Sequence, residues 1–110
     1  MTDHNLTIVQ HNVRHWRTIR GELVNIYNKI DPDIILLNSH GVAASGVMKI
    51  YGYDLFRKND YDDIHNGSAI AINRRLKYRI HLDFYSDLIS ATIETNLGPV
   101  EIATDYCPPP

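Results

Sequence analysis

The strongest constraint on this chain is the apolar run Ile34–Leu37, set between Asp31-Pro32-Asp33 and Asn38-Ser39-His40-Gly41. Four apolar residues without alternation are too few for a helix and suit a strand buried on both faces. The preceding residues complete a unit. Ile19, Leu23, Ile26, Tyr27 and Ile30 recur at spacings of three and four, which predicts one apolar face on a helix over Trp16–Ile30. Gly21 weakens that helix by about 1 kcal/mol relative to alanine. Asp31-Pro32 stops it, because the residue before a proline avoids the helical region. Leu6–Asn12, LTIVQHN, opens with β-favouring residues, ends polar, and reads as a strand. Strand, helix and strand make a βαβ unit with parallel strands and a right-handed crossover. Both strands then deliver their C-terminal ends to one rim, Asn12 from the first and Asn38-Ser39-His40 from the second. Ligands of open α/β sheets bind at such a rim.

The second half is a series of short candidate strands: Tyr53–Arg57, Ser68–Asn73, Tyr78–Leu82, Leu88–Thr95 and Pro99–Thr104. Turn signals separate them at Asn59-Asp60, Asn66-Gly67, Ser86-Asp87 and Asn96-Leu97-Gly98. The last two runs predict a hairpin with a three-residue connection. Tyr106-Cys107-Pro108-Pro109-Pro110 cannot extend a sheet and reads as a loop. The 110 residues are expected to form one domain. With 44% hydrophobic and 22% charged residues, the chain has the balance of a globular protein. Its net charge of -2 argues against a chain-wide basic nucleic-acid surface, so any such contact needs a local patch. The single cysteine, Cys107, excludes an internal disulfide and a cysteine-rich zinc site. There is no secretory leader and no membrane-length apolar stretch, so an intracellular protein without a membrane partner is expected.

Several residues invite a chemical reading. Asn12 can orient a phosphate oxygen or a metal-bound water, or simply form a turn at a strand end. Ser39 and His40 are adjacent, but catalytic serine and histidine usually meet from separate segments. The acidic stretch DYDDIH, residues 60–65, reads as a solvated loop, since it lacks the closing glutamate of a calcium loop. RRLKYR is the densest basic run. On a strand, Arg75, Lys77 and Arg79 share a face on which a phosphate backbone can lie. The alternative is an edge strand protected by charge.

Four segments in order carry a resemblance: LTIVQHNVR, DPDIILLNSHG after an amphipathic helix, NGSAIAI, and LGPVEIATDYCPPP. Together they resemble the N-terminal half of the endonuclease/exonuclease/phosphatase superfamily, most nearly the endonuclease domain of non-LTR retrotransposons of the jockey and I-element type. The resemblance implies an α/β fold, the N-terminal half of a four-layered DNase I-like sandwich, with the βαβ unit followed by antiparallel strands. It implies hydrolysis of DNA phosphodiesters with Mg²⁺ or Mn²⁺, in a retrotransposon polyprotein that also carries a reverse transcriptase. Asn12 and Tyr106 take the places of the family's phosphate-positioning residues. Ser39 falls where the family has its metal-binding glutamate, which leaves Asn38 as the neighbouring candidate ligand. The family's later Asp-x-Asn and Ser-Asp-His motifs do not occur within these residues. The expectation is therefore a partial domain that does not cut DNA alone. Its second sheet is expected to be missing, leaving an uncovered apolar face prone to self-association. The alternatives are a non-catalytic nucleic-acid or protein binding module, and a structural remnant of a mobile element.

Overall fold

A computed structural model describes residues 6–12, 16–38, 48–58, 68–82 and 88–104. These form strand β1 (Ile8–Asn12), helix α1 (Trp16–Ile30) and strands β2 (Ile34–Asn38), β3 (Tyr53–Lys58), β4 (Ser68–Asn73), β5 (Tyr78–Leu82), β6 (Ile89–Thr95) and β7 (Gly98–Thr104). One sheet has the order β1-β2-β4-β3 and the other β5-β6-β7. β1 and β2 run parallel, with Ile8 opposite Ile34 and Asn12 opposite Asn38. The other pairs are antiparallel. The βαβ unit followed by antiparallel strands is therefore present.

Helix α1 buries Trp16, Leu23 and Tyr27. Their spacings of seven and four bring them into one line on a helix of 3.6 residues per turn. Ile26 and Ile30, expected on that face, are 43% and 49% exposed. Ile26 lies one residue, about 100°, away from Tyr27 around the helix, which turns it off the contact line. The helix ends at Asp31, whose φ of +51° is left-handed and whose N–H donates to the Tyr27 carbonyl at 2.7 Å. Aspartate tolerates that conformation better than most side chains, and Pro32 prevents continuation.

β2 is buried on both sides, as its composition demands. Ile35 and Leu37 face α1 together with Ala69 and Ala71 of β4. Ile34, Leu36, Ile70 and Ile72 face the second sheet and meet Ile89, Ala91, Ile93 and Ile102. The alternation in SAIAIN thus has a purpose on each side. Its alanines leave room for the Trp16 and Tyr27 rings, and its isoleucines fill the space between sheets. Full burial of one such isoleucine stabilises the fold by about 1.5–3 kcal/mol.

Two expectations are corrected. The second sheet is not missing: β5, β6 and β7 form it and cover the apolar face of β2 and β4. Period-two alternation then turns Arg79, His81, Ser90, Thr92, Glu94 and Glu101 to its other side, along with Pro99 and Ala103, so that face is mainly polar. The apolar face of β2 and β4 that was expected to stay open is thus covered. The β6–β7 connection is also tighter than expected. Its two residues are Asn96 and Leu97, and Gly98 pairs with Thr95 at a φ of +113° that a larger residue would strain to adopt.

Candidate functional site

The inter-sheet core ends at one rim in a layer of neutral polar side chains. Asn12, Asn38 and Ser68 are register partners across β1, β2 and β4. Each continues the alternation that sends Ile34, Leu36, Ile70 and Ile72 between the sheets. From the second sheet, Thr104 donates its hydroxyl to Asn38 Oδ1 at 3.2 Å. Ser68 and Thr104 are buried, Asn38 is half-buried and Asn12 is exposed. The layer is therefore graded from a closed interior to an open edge at Asn12. On the opposite face of β1, His11 Nδ1 lies 2.7 Å from the Tyr27 hydroxyl, with the two rings stacked at a centroid distance of 5.6 Å. Burial pushes the Tyr27 phenol up to about 12. This pair fixes β1 against α1 one residue before Asn12.

The structure brings Asn12 and Asn38 together, as the parallel βαβ unit requires. Ser39, His40, Tyr106 and the DYDDIH loop lie outside the described residues. The described part of the rim holds no carboxylate, and no group of three or more His, Cys, Asp or Glu side chains forms a metal cage among the described residues. The Asn38 carbonyl oxygen, which accepts from Thr104, is a neutral ligand with one further lone pair. Mg²⁺ and Mn²⁺ are held by charged oxygens, so the described rim residues do not fit them. Ser68 and Thr104 were not singled out from sequence. Their available signal is that each closes an alternating apolar strand segment, SAIAI and VEIAT, with a hydroxyl.

The basic run behaves differently from the expected one-faced stripe. β5 begins at Tyr78, and Arg75 lies in the preceding turn at the opposite rim. Arg75 donates from Nη2 to Asp33 Oδ1 at 2.7 Å and from Nη1 to Asp31 Oδ2 at 3.0 Å. Asp33 is buried, and its other carboxylate oxygen accepts from the Thr7 N–H at 2.8 Å. The hydrogen bond to Asp33, then the nearby Asp31 charge, holds the Arg75 guanidinium above its ordinary pKa. Arg75 therefore ties the β4–β5 turn to the start of β2. Lys77 and Arg79 are exposed. A second tie joins β3 to β5: the Tyr78 hydroxyl donates to Asp54 Oδ2 at 2.6 Å, and Arg74 Nε donates to Asp54 Oδ1 at 3.0 Å. An open groove of about 530 Å³ lies beside this tie, lined by Met48, Tyr51, Asp54, Phe56 and Arg74 among others. It lies at the Arg75 end of the sheet, away from Asn12. No helix among the described residues is long and apolar enough to cross a membrane.

Neither a protein-family model nor a curated protein sequence matches the chain. Solved structures do. The endonuclease domain of TRAS1, a telomere-specific non-LTR retrotransposon, superposes with a TM-score of 0.71 at 16% identity, over 94% of this chain and 46% of that one. An AP endonuclease from Archaeoglobus fulgidus gives a TM-score of 0.68 at 18% identity, over 93% of this chain and 41% of that one. The chain thus spans less than half the length of either structure. With its parallel βαβ unit, its helix on one side and its second sheet on the other, the chain has the DNase I-like α/β sandwich fold of these two endonucleases, in part.

Proposed function

We propose that this chain is the first half of a DNA endonuclease domain of the non-LTR retrotransposon kind. It supplies part of a phosphodiester-facing rim and does not cut DNA by itself. The observation that carries this is a fold shared over nearly the whole chain with an endonuclease domain of which it spans 46%, with Asn12 and Asn38 at the end of the parallel strands. In this reading Asn12 and Tyr106 position the phosphate. A divalent metal and its carboxylates come from outside the described rim, and the surrounding polypeptide is a retrotransposon polyprotein with its reverse transcriptase. Lys77 and Arg79 contribute nonspecific phosphate contacts, while Arg75 serves the fold.

The neutral rim favours one further reading, a non-catalytic module that grips DNA without cleaving it. Plasmid nicking in Mg²⁺ or Mn²⁺ tests the inactivity common to both, and no nicking is expected. Sustained nicking by the pure chain, abolished by Asn12→Ala, would overturn it. Fluorescence anisotropy with a short duplex tests DNA binding, which is expected to weaken steeply with added salt because bound phosphates release counterions. Absence of binding at low salt sinks both DNA readings.

A further inference from the structure

We infer that the open edge of β3 is a docking site for an extended acidic peptide, which adds to the first sheet as a further strand. The site lies at the opposite end of the sheet from Asn12 and is independent of the proposed function.

β3 ends the first sheet, so one of its sides has no strand partner among the described residues. The backbone groups on that side can be assigned. Residues of an antiparallel pair alternate between those that exchange hydrogen bonds across the pair and those that do not. The Arg74 N–H donates to the Gly52 carbonyl at 3.0 Å, and these two residues continue the register that sets Tyr53 opposite Asn73. Asp54 and Phe56 therefore bond to β4, while the Tyr53 carbonyl and both backbone groups of Leu55 point outward. The turn before β3 agrees: the Tyr53 N–H, on the same outward side, donates to the Ile50 carbonyl at 3.1 Å. That bond closes a turn over residues 50–53, with Gly52 at a φ of +86°, as the third position of a type II turn requires. The groove of about 530 Å³ is lined by residues 53–56 of β3 together with residues 48–52, the arm that carries this turn, so it lies along the open edge.

The chemistry of this edge selects its occupant. Alternating N–H and carbonyl groups match another strand, and adding a strand to an exposed sheet edge is a general mode of peptide recognition. Nucleic acid matches less well, because the outward carbonyls repel phosphate oxygens. The charge of the groove favours an acidic peptide. Asp54, the one carboxylate among its lining residues, already accepts from the Tyr78 hydroxyl and from Arg74. Lys49 is exposed and has no partner among the described residues, and the Arg74 side chain is 67% exposed. Tyr51, 95% exposed, and the half-buried Leu55 and Phe56 give apolar surface to the peptide's other side chains. A second copy of the chain fits poorly. Antiparallel self-pairing about Leu55 sets Arg57 of one copy opposite Tyr53 of the other, next to the arm that carries Lys49, so cation meets cation.

The test uses the full chain and a fluorescein-labelled seven-residue peptide that alternates valine and glutamate, followed by anisotropy at low salt. Saturable binding is expected, and the matching peptide of valine and lysine is expected not to bind. A strand offers one alternate set of N–H groups to its neighbour and turns the other set away. Methylating one set of peptide nitrogens should therefore abolish binding, and methylating the other should preserve it. Leu55→Pro removes the outward N–H at a place where an edge strand tolerates proline, and should abolish binding by the folded chain. Lys49→Glu should weaken binding by about fivefold or more, the scale of one exposed ion pair. In ¹H–¹⁵N spectra the Leu55 amide should gain protection from hydrogen exchange when the acidic peptide binds. The inference is overturned if neither peptide binds, if the lysine peptide binds as well as the acidic one, or if the two methylated peptides behave alike. It is equally overturned if a folded Leu55→Pro chain binds like the unmodified one. Should that variant fail to fold, the methylated peptides and the exchange of Leu55 decide. Protection of Leu55 that grows with chain concentration alone makes a second copy the occupant, and protection by a single-stranded oligonucleotide makes it nucleic acid; either result overturns the inference.

Discussion

Removing the Arg75 guanidinium is the sharpest test of how this fold is held. Arg75→Ala leaves the Asp33 carboxylate, 1% exposed, without its cation, and it frees the exposed Asp31 carboxylate as well. Breaking a fully buried ion pair costs about 3–5 kcal/mol, because a charge is left without compensation. The Arg75 side chain is itself 41% exposed, so water enters the vacated space and screens what remains. Asp33 also keeps its hydrogen bond from the Thr7 N–H. These two effects bring the Asp33 share down to about 2–3 kcal/mol, and the exposed Asp31 pair adds at most about 1 kcal/mol. For a domain of this size, a loss near 3 kcal/mol lowers Tm by roughly 12 °C. Arg75→Lys keeps a charge but not the two-pronged geometry, and should lose about a third as much. Thermal and urea unfolding followed by circular dichroism measure both. Lys77→Ala and Arg79→Ala, which remove exposed cations, should stay within about 0.5 kcal/mol of the unmodified chain. An Arg75→Ala protein as stable as those controls refutes the reasoning.

Three other outcomes follow from the same geometry. The Asp54 carboxyl is held below its usual pKa first by the Tyr78 hydroxyl and then by Arg74, so Tyr78→Phe should raise it toward the ordinary range in a carboxyl-carbon NMR titration. Since a lowered carboxylate pKa stabilises the fold above the unfolded value and ceases to as pH falls through the folded one, the stability penalty of Tyr78→Phe should fade in acid; an unmoved Asp54 defeats the assignment. Tyr27 and Tyr78, both pushed up to about 12 mainly by burial, should be the last phenols to ionise in an alkaline absorbance titration. Their raised values favour the fold up to the unfolded value near 10, and that contribution disappears as pH climbs from 10 toward 12. Tyr27→Phe should remove one of the late ionisations, and an unchanged late fraction contradicts the placement of Tyr27. Ile70→Ala, in the middle of the inter-sheet core, should cost about 2–5 kcal/mol in urea unfolding; a loss below about 1 kcal/mol would mean that the second sheet does not pack on β4.

What was legible in the sequence was what depends on neighbours along the chain. The run IILL announced a strand buried on both sides, the proline after Asp31 marked the helix end, and the alternation in SAIAIN marked a strand with two different faces. The parallel βαβ geometry alone placed Asn12 beside Asn38. What stayed hidden was set by partners far away. Arg75 looked like part of a basic stripe because nothing local reveals that its partners lie 42 and 44 residues earlier. Thr104 drew no attention because its hydrogen bond to Asn38 spans 66 residues. Ile26 looked like core because spacing alone cannot tell which part of a broad apolar arc meets the sheet. The second sheet was readable as strands, but its closure over Ile34 and Leu36 was not, since strand pairing beyond a hairpin leaves little local trace.

The two ends of the first sheet satisfy their polar groups in opposite ways, and the difference predicts where stability and function part. At the Arg75 end, charged and polar groups face buried backbone and are matched: Asp33 to Arg75, and the Tyr53 hydroxyl and Asn73 amide to the Pro32 carbonyl. Buried polar groups need such partners, so this end holds the fold together. At the Asn12 end the same strands stop in amides and hydroxyls, and Asn12 is exposed on an edge strand. A residue placed there for the fold would be β-branched, since asparagine is a poor strand former. Asn12→Val should therefore leave the protein as stable as before or more stable by up to about 1 kcal/mol. The same substitution should weaken binding of the short duplex. A loss of more than about 1 kcal/mol would mean that Asn12 is a structural strand-end residue. Gain in stability together with loss of binding is the pattern of a residue kept for its chemistry, because binding sites hold groups that the fold alone would not choose.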